Sequence, residues 1–155
     1  MTARLVTIPF SHYCEKARWA LDRAGIAYDE AGHLPLFHYL ATLRARGGRT
    51  VPVVATDGQV LDDSTDIVAW ADTQRSGSLL PPEPAEALQL EDDFDHQLGP
   101  ATRRWAYFHL MPNREAIAMM ASVVPRWELA ALRVARPLAF GLMRRWMKID
   151  APGAE

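Results

Sequence analysis

The chain predicts an α/β unit of element order βαβαββα followed by a segment made only of helices, and three observations point to it. Extended and helical patterns alternate from Ala3 up to the stretch at 76–84, beginning with the β-rich run ARLVTI and the helical stretch after Ser11. The runs VPVVA and QVLD flank Asp57-Gly58, a strong short hairpin signal. Beyond the stretch SGSLLPPEP at residues 76–84 the period-two patterns stop and only helical ones remain.

Each element has its own local reason. Ala3 to Ile8 reads as a strand that stops at Pro9. Ser11 suits a helix N-cap and puts Cys14 in the first turn. Tyr13, Ala17, Ala20, Leu21 and Ala24 then share one helical face, Arg18 and Asp22 stand at i,i+4, and Gly25 closes the helix. Ala27 to Glu30 forms a weak second strand, which implies a parallel pair with a right-handed crossover. Residues 36–46 make a short helix broken at Gly47-Gly48, and Val51–Ala55 and Gln59–Asp62 form the hairpin. Ser64 is the expected cap of a helix carrying Ile67, Val68, Trp70 and Ala71.

The domains expected are 1–78, a linker at 79–84, and a helical part at 85–155. Within the last, residues 85–111 carry Leu88, Phe94, Leu98, Trp105 and Phe108 with a kink expected at Gly99-Pro100. A turn at Met111-Pro112-Asn113 leads into helical pieces interrupted at Pro125 and Pro137.

Composition narrows the function. With 155 residues, 49% of them hydrophobic, the chain can bury a sizeable core. A net charge of -2 and a pI near 6.2 give no electrostatic footprint for nucleic acid. A single cysteine forms no internal disulfide, so a reducing, cytoplasmic setting is expected. The N-terminus lacks a signal-peptide pattern, and no run approaches the ~20 apolar residues of a membrane span. No metal is expected.

Three short motifs carry potential chemistry. Ser11 and Cys14 sit where unpaired N–H groups and the helix dipole favour a thiolate, the protein's own or a ligand's. A capped helix with a small buried cysteine explains the same spacing. At Val51-Pro52, a proline opening a strand removes one N–H from the ladder and leaves Val51 a backbone that can face a ligand; spacing alone gives a trans bond. Asp63-Ser64 at a helix start suits a ligand bearing both an ammonium and a carboxylate; in isolation, ordinary capping by Ser64 with Asp63 favourable to the helix dipole is the commoner explanation.

Taken in order, IPFSHYCEKARWAL, GIAYDE, TVPVV, the Asp-Gly turn and LDDSTDIVAW resemble the thioredoxin-like N-terminal domain of cytosolic glutathione S-transferases. The acidic, aromatic run LEDDFDHQLGPATRRWAYFHLM resembles the first long helix of that family's all-α C-terminal domain. The resemblance implies an enzyme that binds reduced glutathione and conjugates its thiolate to a hydrophobic electrophile, as a homodimer. It implies that Ser11 is the activating hydroxyl, and that Cys14 matches the second cysteine of the related glutaredoxin motif. Val51 would pair with the cysteinyl backbone of glutathione, with Pro52 as the family's cis-proline. Asp63 and Ser64 would hold the γ-glutamyl end, and His38 or Arg49 the glycyl carboxylate. His12 stands where many relatives have proline.

The chain departs from the family in its helical part, which is short. Trp127, Leu129, Leu132, Leu138, Phe140, Leu142 and Trp146 are left without an obvious intrachain cover. Segment 126–148 holds six cationic residues against Glu128 alone, the composition of an interfacial helix or of a solvated bundle helix. The solvated bundle helix is the commoner case; the interfacial alternative would bring membrane-surface or protein contact there. Trp105, Tyr107 and Phe108 suit either the core or an electrophile pocket. Two other functions fit the same residues: a non-catalytic interaction module, and a thiol oxidoreductase using Cys14.

Overall fold

Alternation of side chains along the first strand organises the N-terminal part of the molecule. A computed structural model describes residues 2–75, 79–81 and 83–149. They fall into two units, Met1–Glu83 and Pro84–Glu155.

In the first unit, β1 (Ala3–Thr7), α1 (His12–Ala24), β2 (Tyr28–Gly32), α2 (His38–Arg44), β3 (Val53–Ala55), β4 (Val60–Leu61) and α3 (Ser64–Gln74) follow the expected order. The sheet runs β2-β1-β3-β4. β1 and β2 are parallel, with Leu5 opposite Glu30, while β3 is antiparallel to both β1 and β4. Ala3 and Leu5 of β1 and Val54 of β3 pack on Ala17 and Leu21 of α1 and Ile67 of α3. Val6 and Val53, paired across the strands and fully buried, point to the other face. There Gly47, just after α2, lies so close that a Cβ would meet Val53 Cγ1 at 2.7 Å.

Local chemistry corrects three expectations. Ser64 is not the cap of α3: Asp63 is, accepting the Thr65 N–H at 2.7 Å in an extended conformation, while Ser64 is the first helical residue and buried. A carboxylate one residue earlier offers the stronger, charge-assisted cap. Arg18 does not pair with Asp22; it reaches Glu30 of β2 at 2.7 Å and Glu15 at 2.8 Å. The second strand also runs on to Gly32, because β1 offers partners as far as Thr7. Ser11, Gly25 and the hairpin are as expected, with Gly25 at φ +69° accommodating the left-handed helix end. Residues 76–78 and 82, around the expected linker, lie outside the described residues, as do 150–155. Leu79 and Leu80 donate backbone N–H groups to Asp72 Oδ1 at 2.6 and 3.1 Å.

The second unit is helical: α4 (Ala85–Asp93), a π-helical turn (Phe94–Leu98), α5 (Gly99–Leu110), α6 (Arg114–Met119), a 3-10 turn (Met120–Ser122) and α7 (Arg126–Met147). Pro100 has no N–H for the His96 carbonyl. The preceding turn widens instead, with the Gly99 N–H reaching Phe94 O five residues back. Asn113 caps α6 through Oδ1. Pro137 does not interrupt the last helix as expected; α7 runs through it. Both Pro137 and Arg133, whose carbonyl loses its donor, are exposed, so water can serve the freed group. Leu132 is buried, contrary to expectation, and Leu129, Phe140 and Leu142 are partly covered. Trp127, Leu138 and Trp146 remain exposed, as does Trp105 on α5. No described helix is long and apolar enough to cross a membrane.

Candidate functional site

Strand register carries three chain segments to one end of the sheet. β1 leaves the ladder after Thr7 and turns through Pro9-Phe10 into α1. β3 runs against it with Val53 opposite Val6, so Val51-Pro52 enters from that same end. β4 runs against β3 with Leu61 opposite Val54, so Asp62 and Asp63 leave there as well. The Lys16 ammonium donates to Thr65 Oγ1 at 3.1 Å and ties the early turns of α1 and α3 together. Ser11, Val51, Pro52, Asp63 and Ser64 thus belong to one end of this unit.

The turn into α1 is tight. Phe10 is 57% exposed with φ +63°, sparsely populated for an aromatic residue, and the Ser11 N–H closes the turn on Ile8 O at 3.2 Å. Ser11 is extended, and its Oγ accepts the Cys14 N–H at 3.4 Å. His12 opens the helix with its ring against Tyr13, centroids 4.1 Å apart. Cys14 turns inward. It is 0% exposed, and its Sγ accepts the Ile8 N–H at 3.5 Å. Burial pushes its thiol pKa up; the Ser11 side chain, the Ile8 N–H and nearby Arg18 pull it down without prevailing.

The Val51-Pro52 peptide is cis, as the resemblance implies and spacing alone does not. Val51 precedes the first ladder residue, Val53. His38 is buried, with Nε2 3.3 Å from the Arg49 carbonyl oxygen, so it holds the loop that leads to Val51; Arg49 itself is exposed. At α3, the Asp63 carboxylate is exposed while its Oδ1 accepts the Thr65 N–H. Among the described residues, no group of three or more His, Cys, Asp or Glu is placed to hold a metal.

A polar network beside the site has no local sequence signal. Glu30 Oε1 accepts from Thr7 Oγ1 at 2.6 Å and from Arg18 Nε at 3.0 Å and Nη2 at 2.7 Å. It joins β1, β2 and α1 below the Cys14 turn. The Lys16–Thr65 bond, spanning 49 residues, is equally invisible to a local reading.

This sheet, with α1 crossing over between its two parallel strands and a cis-proline entering β3, defines a class: the thioredoxin-like domains. Residues 5–79, just under half of the chain, match the family described as glutathione S-transferase, N-terminal domain, and this part of the chain is a domain of that family. Solved structures of similar fold include a possible glutathione S-transferase from Rhodopseudomonas palustris (20% identity, TM-score 0.58, 96% of this chain and 85% of that one). Another is the theta class glutathione S-transferase from Xanthomonas axonopodis pv. citri with glutathione bound (21% identity, TM-score 0.58, 88% and 70%). A third is a glutathione transferase of Populus trichocarpa (14% identity, TM-score 0.60, 73% of this chain), of which the chain spans 57%. No curated protein matches the chain by sequence.

Proposed function

We propose that the chain binds reduced glutathione at this end of the sheet and joins its sulfur to a hydrophobic electrophile, working in the cytoplasm as a homodimer. One observation carries the reading: Ser11, the cis Val51-Pro52 peptide and the Asp63-Ser64 helix start belong to the same end of one sheet. The donor set fits the ligand. The Val51 backbone lies outside the ladder, where it can pair with the cysteinyl backbone. Asp63 offers an exposed carboxylate to the γ-glutamyl ammonium, and the α3 N-terminus with Ser64 favours its carboxylate. Exposed Arg49 is the better candidate for the glycyl carboxylate, since His38 is committed to the loop.

Ser11 accepts the Cys14 N–H and keeps its own hydroxyl proton to donate. Glutathione's S–H proton passes to solvent. The thiolate then forms an S–C bond, and the leaving group departs with the bonding electrons. Ser11 and the α1 N-terminus stabilise the anion until attack.

Against the oxidoreductase reading stands the burial of Cys14, which also pushes its thiol pKa up. For the interaction-module reading stand the exposed Trp127, Leu138 and Trp146 of α7.

The test is calorimetric titration with reduced glutathione, repeated on Asp63→Asn, which keeps the cap oxygen and removes the charge. Saturable binding weakened about tenfold or more by the substitution supports the site. Ser11→Ala should keep binding and lower conjugation of a generic electrophile by roughly tenfold to a hundredfold, less than in a dry oxyanion hole. No binding by the folded chain overturns the proposal and leaves the interaction module.

A further inference from the structure

The outward face of α7 carries side chains that water does not favour. Val134 is 86% exposed and Leu138 69%, and Trp127 and Trp146 are exposed near the two ends of the helix. Trp127, Ala130, Val134, Leu138 and Gly141 recur at i, i+3, i+7, i+11 and i+14, which makes one uncharged stripe about 21 Å long, and all five are exposed. No heavy atom lies within 4 Å of where a Cβ on Gly141 would stand. The buried face is a different one, made by Leu132, Ala139 and Met143.

Cations edge the stripe. Arg126, Arg133 and Arg144 fall along one flank of it, and Arg145 stands at its C-terminal end; all four are exposed. Glu128 is the carboxylate of α7, and it is fully buried, so no exposed acid on this helix answers the arginines. The chain as a whole carries a net charge of -2, which makes the positive field a property of this face and not of the molecule.

We infer that this face of α7 docks on the surface of an anionic lipid bilayer, with the helix lying in the plane of the interface. Val134 and Leu138 enter the acyl boundary, the indoles of Trp127 and Trp146 sit at headgroup level, and the arginines reach the lipid phosphates. The helix lies on the bilayer and does not span it, since no described helix is long and apolar enough to cross. A neutral surface would leave the arginines unused, and a soluble anion would leave the stripe wet. A second copy on the same face would set cations against cations. An acidic protein would answer the charge, but tryptophans at both ends of an aliphatic stretch suit a boundary between water and lipid. The inference does not rest on the glutathione reading, because every residue it uses is in the helical unit.

The test is co-flotation of the whole chain with vesicles of phosphatidylcholine alone or with about 30% phosphatidylserine. Saturable binding to the anionic vesicles is expected, about tenfold or more tighter than to the neutral ones and falling toward the neutral level as NaCl rises from about 0.05 to about 0.5 M. Arg126→Gln, Arg133→Gln, Arg144→Gln and Arg145→Gln together should erase the preference for anionic lipid. Val134→Gln with Leu138→Gln, both at exposed positions, should weaken binding to anionic vesicles about tenfold or more at unchanged circular dichroism. Should the fourfold variant lose its helix, the Val134–Leu138 pair and the salt series decide. Binding that ignores lipid charge overturns the assignment, and so does binding that the Val134–Leu138 pair leaves intact, which is adsorption by charge alone. Absence of vesicle binding overturns it and leaves the face to an acidic protein. A dimer that the same pair dissolves in lipid-free sedimentation overturns it in favour of a second copy.

Discussion

Glu30 accepts two hydrogen bonds from Arg18, at 2.7 and 3.0 Å, across the gap between β2 and α1. Partial burial pushes the Glu30 carboxyl up, but the Arg18 and Thr7 hydrogen bonds outweigh it and hold its pKa below the usual range. A carboxyl lowered by folding stabilises above its unfolded pKa, near 4.5, and that contribution disappears as pH falls through the folded value. The pair is partly exposed, so solvent screening reduces its worth to about 1 kcal/mol at neutral pH. Glu30→Gln should lose that much in denaturant titration at pH 7, with the gap from wild type closing below pH 4.5. A gap constant with pH would detach the effect from ionisation.

Cys14 should be a sluggish nucleophile. Its burial and raised pKa both withhold the thiolate. Alkylation by iodoacetamide at pH 8 should proceed roughly a hundredfold slower in the native chain than in denaturant, limited by local opening. Native labelling at the rate of a free thiol would revive the oxidoreductase reading.

Gly47 owes its place to contact. An added Cβ meets Val53 Cγ1 at 2.7 Å and Cγ2 at 2.8 Å, and Val53 is fully buried between strands. Gly47→Ala should cost about 1–3 kcal/mol by overpacking. The cost should shrink in a Val53→Ala background, where both offending methyls are gone. Simple additivity in that double-mutant cycle would count against the contact as the cause.

Pro137 invites a stabilising change. It is exposed inside α7, and the helix continues through it. Pro137→Ala restores an N–H for the Arg133 carbonyl and should add about 1–3 kcal/mol. The readout is a higher Tm together with greater ellipticity at 222 nm.

The parts of the fold legible in the sequence are those set by neighbours in the chain. Ser11 and Gly25 bracket α1 because capping is decided within four residues. Asp57-Gly58 turns the hairpin for a similarly local reason. The candidate site is legible as an ordered set of motifs, but its assembly depends on the pairing of Val6 with Val53 and Val54 with Leu61, which no single segment encodes. Helical spacing pairs Arg18 with Asp22 because it says nothing of Glu30, 12 residues away on a strand. Asp63 and Ser64 exchange places as cap because either side chain can serve, and tertiary burial of Ser64 decides between them. Pro137 reads as a stop because local rules do not reveal that the Arg133 carbonyl it frees lies on an exposed stretch of α7, where water can serve it.

The π-helical turn at Phe94–Leu98 resets the angular phase of the long α4–α5 rod. Counting 100° per residue from Ala85 loses step by about one residue before Gly99, because the wider turn absorbs an extra residue without rotating the helix beyond it. Leu88 and Phe108 therefore cannot be assigned to a shared stripe on a single helical wheel. Two wheels are needed, one for each side of the turn. A chain one residue shorter at this point would present the same two faces on an unbroken α-helix.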